Sequence, residues 1–109
     1  MKGNAKIKRT QLGFEDHGIL TCWLQLEQEG SGQGFGGYRL DAPKDGDSAL
    51  GSFWIKRILE VVGARNWEDL VGKYIRVEGE ECGIILGIGH IVENKWFYPS
   101  KEIKERFGT

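Results

Sequence analysis

Cysteine and proline are scarce, with two of each in 109 residues. Two thiols, Cys22 and Cys82, do not make the disulfide framework on which small secreted domains depend, so reduced thiols in a cytoplasm are expected. Neither charge sign is in excess: fifteen Lys and Arg against sixteen Asp and Glu leave a net charge of -1. No overall positive field therefore draws the chain onto nucleic acid or an acidic membrane. No apolar run approaches the roughly 20 residues that cross a bilayer, and none follows Met1, so neither membrane insertion nor secretion is expected. The length suits one core and not two, giving a single domain over residues 1–109.

Glycine and tryptophan are over-represented, with seventeen Gly and four Trp. Glycine loses the most backbone entropy on folding, so this many imply tight turns, bulges or close backbone approaches. Hydrophobic residues at 39% and charged residues at 28% give an ordinary globular balance.

Along the chain, Lys6 to Phe14 favours a strand. Ile7 opposes Lys6 and Lys8, while Leu12 and Phe14 fall on the lysine side, so a bulge near Gln11 or Gly13 is expected. After a polar turn at Glu15–Gly18, the alternation of Leu20, Cys22, Leu24 and Leu26 with Thr21, Trp23 and Gln25 marks a half-buried strand that completes a hairpin. Gly30 to Gly37 reads as a loop, Tyr38 to Leu40 as a short strand, and Asp41 to Asp47 as a second loop. Leu50, Trp54, Ile58, Val61 and Val62 repeat at helical spacing over Ala49 to Val62, with Asp47 or Ser48 able to cap the start and Gly63 the end. Trp67 to Leu70 suggests one helical turn, and Lys73 to Gly79 a strand.

Cys82 to Val92 reads as a long strand with Ile84, Leu86, Ile88 and His90 on one side. Gly87 and Gly89 on its other side call for strong curvature or a close neighbour. Trp96 to Tyr98 returns as a short strand, and Pro99 opens a last helix anchored by Ile103 and Phe107. Two hairpins, one amphipathic helix and no strand–helix–strand rhythm give the α+β class. The expected architecture is a strongly bent antiparallel sheet or small barrel of about six strands, with one main amphipathic helix and a short C-terminal helix.

Gly32-Gln33-Gly34-Phe35-Gly36-Gly37 matches the spacing of a dinucleotide fingerprint, but a short strand follows it and not a helix, which rules that fold out. Two readings of the string remain. Its amides can form an anion nest, with Phe35 or Tyr38 stacking on a base, or its glycines can answer only steric needs of a hairpin connection. His17, His90, Cys22 and Cys82 are spaced too poorly for structural zinc, so no metal and no cofactor are expected. Asp16-His17 reads first as a solvated turn and His90 as a hydrogen-bonded residue at the rim of the core, both kept as candidate contacts. Cys22 falls on an apolar face where thiols are inert, and no nucleophile elbow or carboxylate pair presents itself, so no catalytic residue is assigned and enzyme is the weakest class. Lys6, Lys8 and Arg9 beside Trp23 are the candidate contact for single-stranded nucleic acid, set against a solvated edge strand.

Asp16-His17-Gly18-Ile19-Leu20-Thr21, Gly30 to Tyr38, Trp67-Glu68-Asp69-Leu70 and Ile88-Gly89-His90-Ile91 with Trp96-Phe97 and Pro99 together resemble a family of small uncharacterised proteins of tailed bacteriophages and prophages. The resemblance implies expression in the cytoplasm of a bacterial host and an accessory role, and it brings no catalytic residues. The leading expectation is a non-enzymatic protein that binds a host protein or a nucleotide-like, phosphate-bearing small molecule at Gly30–Tyr38, in its most concrete form an inhibitor of host defence. Single-stranded nucleic-acid binding is the alternative, with weak affinity expected, and a small hydrolase the third. Open sheet edges leave room for a homodimer.

Overall fold

The structure, a computed structural model, describes residues 2–40, 49–80 and 83–107. Its strands are β1 (Lys2–Phe14), β2 (Leu20–Gln28), β3 (Ser31–Gly36), β4 (Tyr74–Gly79), β5 (Ile85–Gly89) and β6 (Trp96–Phe97). They form one antiparallel sheet in the order β3-β2-β1-β4-β5-β6, open and not closed into a barrel. Two α-helices, α1 (Ala49–Val62) and α2 (Pro99–Phe107), and a 3-10 turn at Trp67–Asp69 complete the α+β fold.

β1 is the central strand and serves two partners. Its first half, Lys2 to Lys6, pairs with β4, and its second half, Lys6 to Phe14, pairs with β2. The bulge between them falls at Lys8, between Ile7 and Arg9, and not near Gln11 or Gly13. At this point β1 leaves β4, and Ile7 exchanges backbone hydrogen bonds with Gly72 (2.8 Å) and Lys73 (2.9 Å). One extra residue resets the alternation, so Ala5 and Ile7 face the core and Thr10 follows on the same side. Any bulge between Ile7 and Leu12 satisfies the sequence pattern; only the pairing with β4 selects Lys8.

The string Gly30–Gly37 is a strand and not a loop. β3 runs antiparallel to β2 with Gln28 opposite Ser31, which leaves only Glu29 and Gly30 in the connection. Both have positive φ, 50° and 83°, the two-residue turn whose twist suits a hairpin. The expected strand at Tyr38–Leu40 is absent; Leu40 instead donates a single backbone bond of 2.9 Å to Leu20. β5 is shorter than the run expected from Cys82 to Val92, and its faces differ from the expected ones. A register shift between Glu78 and Gly79 buries Ile85 with Ile88 and leaves Ile84 and Leu86 exposed at 57% and 45%. Cys82 and the loop from Asp41 to Asp47, with the cap at Asp47 or Ser48, lie outside the described residues.

α1 spans the expected residues and ends where Gly63, at φ 82°, and Ala64 both donate to the Leu59 carbonyl. Its apolar stripe of Trp54, Ile58, Val61 and Val62 packs into a core with Leu24, Ile75, Val77 and Ile88 from the sheet. Trp54 lies at the centre, stacked on Phe35 at 5.5 Å and edge-on to Phe97 at 5.2 Å. Arg57 ties α1 to the C-terminal elements, donating from Nε to Glu102 (2.9 Å) and from Nη2 to the Trp96 carbonyl (2.7 Å). The second Glu102 oxygen accepts the Tyr98 N–H at the start of α2.

On the outer face of the sheet one device recurs. Trp96 covers Gly89, Tyr98 covers Gly87, and Trp23 covers Gly34 and Gly37; a β-carbon would collide with the ring at Gly37, Gly87 and Gly89 and would crowd it at Gly34. Four of the seventeen glycines are thereby tied to the aromatic excess.

Candidate functional site

Strand alternation on β2 buries Cys22, Leu24 and Leu26 and turns Trp23, Gln25 and Glu27 outward. Their partners on β3 are Gly36, Gly34 and Gly32, and on β1 Gln11 and Arg9 sit opposite Trp23 and Gln25. The outer face therefore has side chains on β1 and β2 and bare backbone on β3. The result is a groove of about 520 Å³ with Lys8 and Gln11 on one wall, Gly32 to Gly34 on the other, and Trp23 at one end. That volume lies in the ordinary range of small-molecule sites. Trp23, 38% exposed, lies across the glycines and closes the groove. A smaller depression of about 390 Å³ lies on its other side, toward Ile84.

Arg9 Nη2 donates to Gln25 Oε1 at 3.0 Å, and Lys8 Nζ lies 3.5 Å from Glu27 Oε2. Lys6 turns instead over the Tyr74 ring at 5.9 Å. Two groups that are separate in the sequence, Lys8 with Trp23 and Gly32-Gln33-Gly34, thus line one groove. Gln25 and Glu27 could have been found by the period-2 alternation that carries Trp23. Gln11 could not, because the bulge sets its side.

The remaining candidates lie elsewhere. Phe35 is 1% exposed in the core and is not offered to a ligand, while Tyr38, half-buried, packs on Trp54 at 5.1 Å with its hydroxyl 2.9 Å from Ser100 Oγ and lines the smaller depression and not the groove. His17 is solvent-exposed in the β1–β2 turn, its Nδ1 3.3 Å from Glu15 Oε1. His90 follows β5, and its Nδ1 accepts the N–H groups of Val92 (3.0 Å) and Glu93 (2.9 Å). That pair of acceptor bonds places the ring proton on Nε2, 3.4 Å from Glu93 Oε2, and makes His90 a clamp for the β5–β6 turn. Neither histidine lines the groove.

Burial pushes the Cys22 thiol up to about 11, with a smaller opposing effect from Trp54, so at neutral pH it stays protonated among apolar neighbours. Among the described residues no group of three or more His, Cys, Asp and Glu could hold a metal, and no helix is long and apolar enough to cross a membrane.

Gln33 contributes backbone to the groove, while its side chain shares the inward face with Leu26 and Phe35. There Oε1 is buried with no hydrogen-bond partner among the described residues, a penalty of roughly 1–3 kcal/mol. Gln33→Leu is expected to raise stability by about 1 kcal/mol in urea denaturation. A loss of that size would mean the carbonyl is satisfied.

No protein-family model, curated protein or solved structure matches the chain.

Proposed function

We propose that the chain is a non-enzymatic binding protein whose groove over β1, β2 and β3 takes a nucleotide-like, phosphate-bearing small molecule. The observation that carries this reading is the meeting of Trp23, Lys8 and the Gly32–Gly34 backbone in one concave surface. A planar base lies on the exposed indole, where stacking contributes about 1–3 kcal/mol. The amides of Gln11 and Gln25 meet its polar edge, and Lys8 with Arg9 reaches the phosphate. The bare β3 wall lets the ligand approach backbone with no side chain in between.

A polyanionic strand suits this surface less well, because Lys8 is the one cation among the described residues lining the groove and a strand needs a track of several. The resemblance to phage proteins supplies a setting for such binding: a bacterial cell in which sequestering a nucleotide signal, or blocking a host protein, counters defence.

Calorimetric titration with a panel of nucleoside monophosphates, triphosphates and cyclic dinucleotides tests the reading. Trp23→Ala is expected to weaken the bound member by about 1–3 kcal/mol. Its melting should show a stability loss of only about 1–2 kcal/mol, since the indole is partly exposed. Equal affinity in the variant, or no nucleotide bound by the parent, sinks the proposal.

A further inference from the structure

A second basic surface is invisible along the sequence. Lys56, Arg57, Lys95 and Arg106 come together where α1, the end of α2 and the β5–β6 turn meet. Two adjoining depressions of about 570 and 540 Å³ share Arg57 and Glu60, and Glu60 is the one carboxylate in their lining.

Arg57 is pre-organised. Its side chain is 24% exposed, fixed by Glu102 at 2.9 Å and the Trp96 carbonyl at 2.7 Å, and it stands over the Phe97 ring at 5.5 Å. Nη1 is left with only a long contact of 3.4 Å to Glu60, whose side chain is 49% exposed and able to turn to solvent. Lys56 and Arg106, one from each helix, have no carboxylate within 4.0 Å among the described residues. In a chain of net charge -1, two cations with no carboxylate partner among the described residues, flanking a fixed guanidinium, are a local excess of positive charge.

The nearby rings are already engaged. Arg106 lies over Phe53 at 5.1 Å, and Trp96 is taken by Tyr98 at 5.8 Å and by Arg76 at 4.9 Å. Phe107, which also lines the trough, meets Phe53 edge-on at 5.7 Å, so among the described residues recognition falls mainly on charge. With Arg57 already matched by Glu102, Lys56 and Arg106 leave two positive charges beside a fixed guanidinium, which suits an anion whose several charges are spread over many oxygens, whereas a single carboxylate would leave one of them uncompensated.

We propose that this trough binds the polyphosphate portion of a ligand, with Arg57 as the fixed donor and Lys56 and Arg106 closing on the outer oxygens. The site is independent of the groove at Trp23.

The test is calorimetric titration of the full chain, at low ionic strength with chelator present, using tripolyphosphate, a nucleoside triphosphate and the free nucleoside. Tripolyphosphate should bind, the nucleoside should not, and Lys56→Ala/Arg106→Ala should weaken tripolyphosphate at least about fivefold with the melting transition in place. Trp23→Ala should leave tripolyphosphate affinity unchanged. Equal affinities for tripolyphosphate and the nucleoside triphosphate identify the phosphates alone as the ligand. A tighter nucleoside triphosphate that still depends on Lys56 and Arg106, and not on Trp23, identifies a nucleotide source. Absence of tripolyphosphate binding, an unaffected double Ala variant, or dependence on Trp23 in place of Lys56 and Arg106 overturns the proposal.

Discussion

Phe35→Ala is expected to lower the free energy of unfolding by about 3–5 kcal/mol, enough to leave a domain of this size marginal or unfolded. The ring is 1% exposed, stacked on Trp54 at 5.5 Å and edge-on to Phe97 at 6.2 Å, so its removal empties the middle of the aromatic core. Both neighbours belong to different elements, α1 and β6, and cannot collapse together into the space without moving the sheet against the helix. Urea denaturation followed by far-UV circular dichroism measures the loss. A change below about 1 kcal/mol would place Phe35 outside the core. Phe35→Leu, which refills part of the volume, should recover a substantial share and confirm that packing is the cause.

Gly36→Ala is expected to cost about 3 kcal/mol or more, while Gly32→Ala, four residues earlier on the same strand face, changes stability by less than about 1 kcal/mol. At Gly36 the backbone has φ 126°, which L side chains rarely adopt, and a β-carbon would press on the Cys22 carbonyl oxygen of the neighbouring strand. At Gly32 no atom stands within 4 Å of the place a β-carbon would take. Gly34→Ala falls between them, because its β-carbon meets Cζ3 of Trp23 at 3.0 Å and the ring must slide. It should therefore disturb ligand binding in the groove more than it disturbs folding. Thermal melts of the three variants rank them, and equal losses at Gly32 and Gly36 would refute the steric account of the string.

Those contrasts show why the glycine-rich segment resists interpretation from sequence. Gly32, Gly34 and Gly36 alternate with Gln33 and Phe35, a strand pattern in which the outward side chain has been removed. The usual polar-out signal is missing, and the density of glycine suggests a loop. The reasons lie on another strand and differ by position: the Trp23 ring occupies the space at Gly34, the Cys22 carbonyl stands against Gly36, and at Gly32 nothing stands within 4 Å. Gly87 and Gly89 carry the same information, and there the expected close neighbour is present as Tyr98 and Trp96.

Local pattern alone determined α1, because a 3.6-residue period with a terminal glycine has one structural solution, and it determined β2 through a clean period of two. It also determined the α+β class and the inward placement of Cys22. Tertiary structure decided the rest. The position of the β1 bulge depends on where β4 lets go of the strand, and the faces of β5 on a register shift against β4. The groove and the basic trough each collect residues from three separate elements, and Lys56, Arg57, Lys95 and Arg106 form no run that a sequence displays. Helix and strand periodicity is written in the covalent order of neighbours, whereas a site is written in distances between segments, and those exist only once the sheet has paired and the helices have packed upon it.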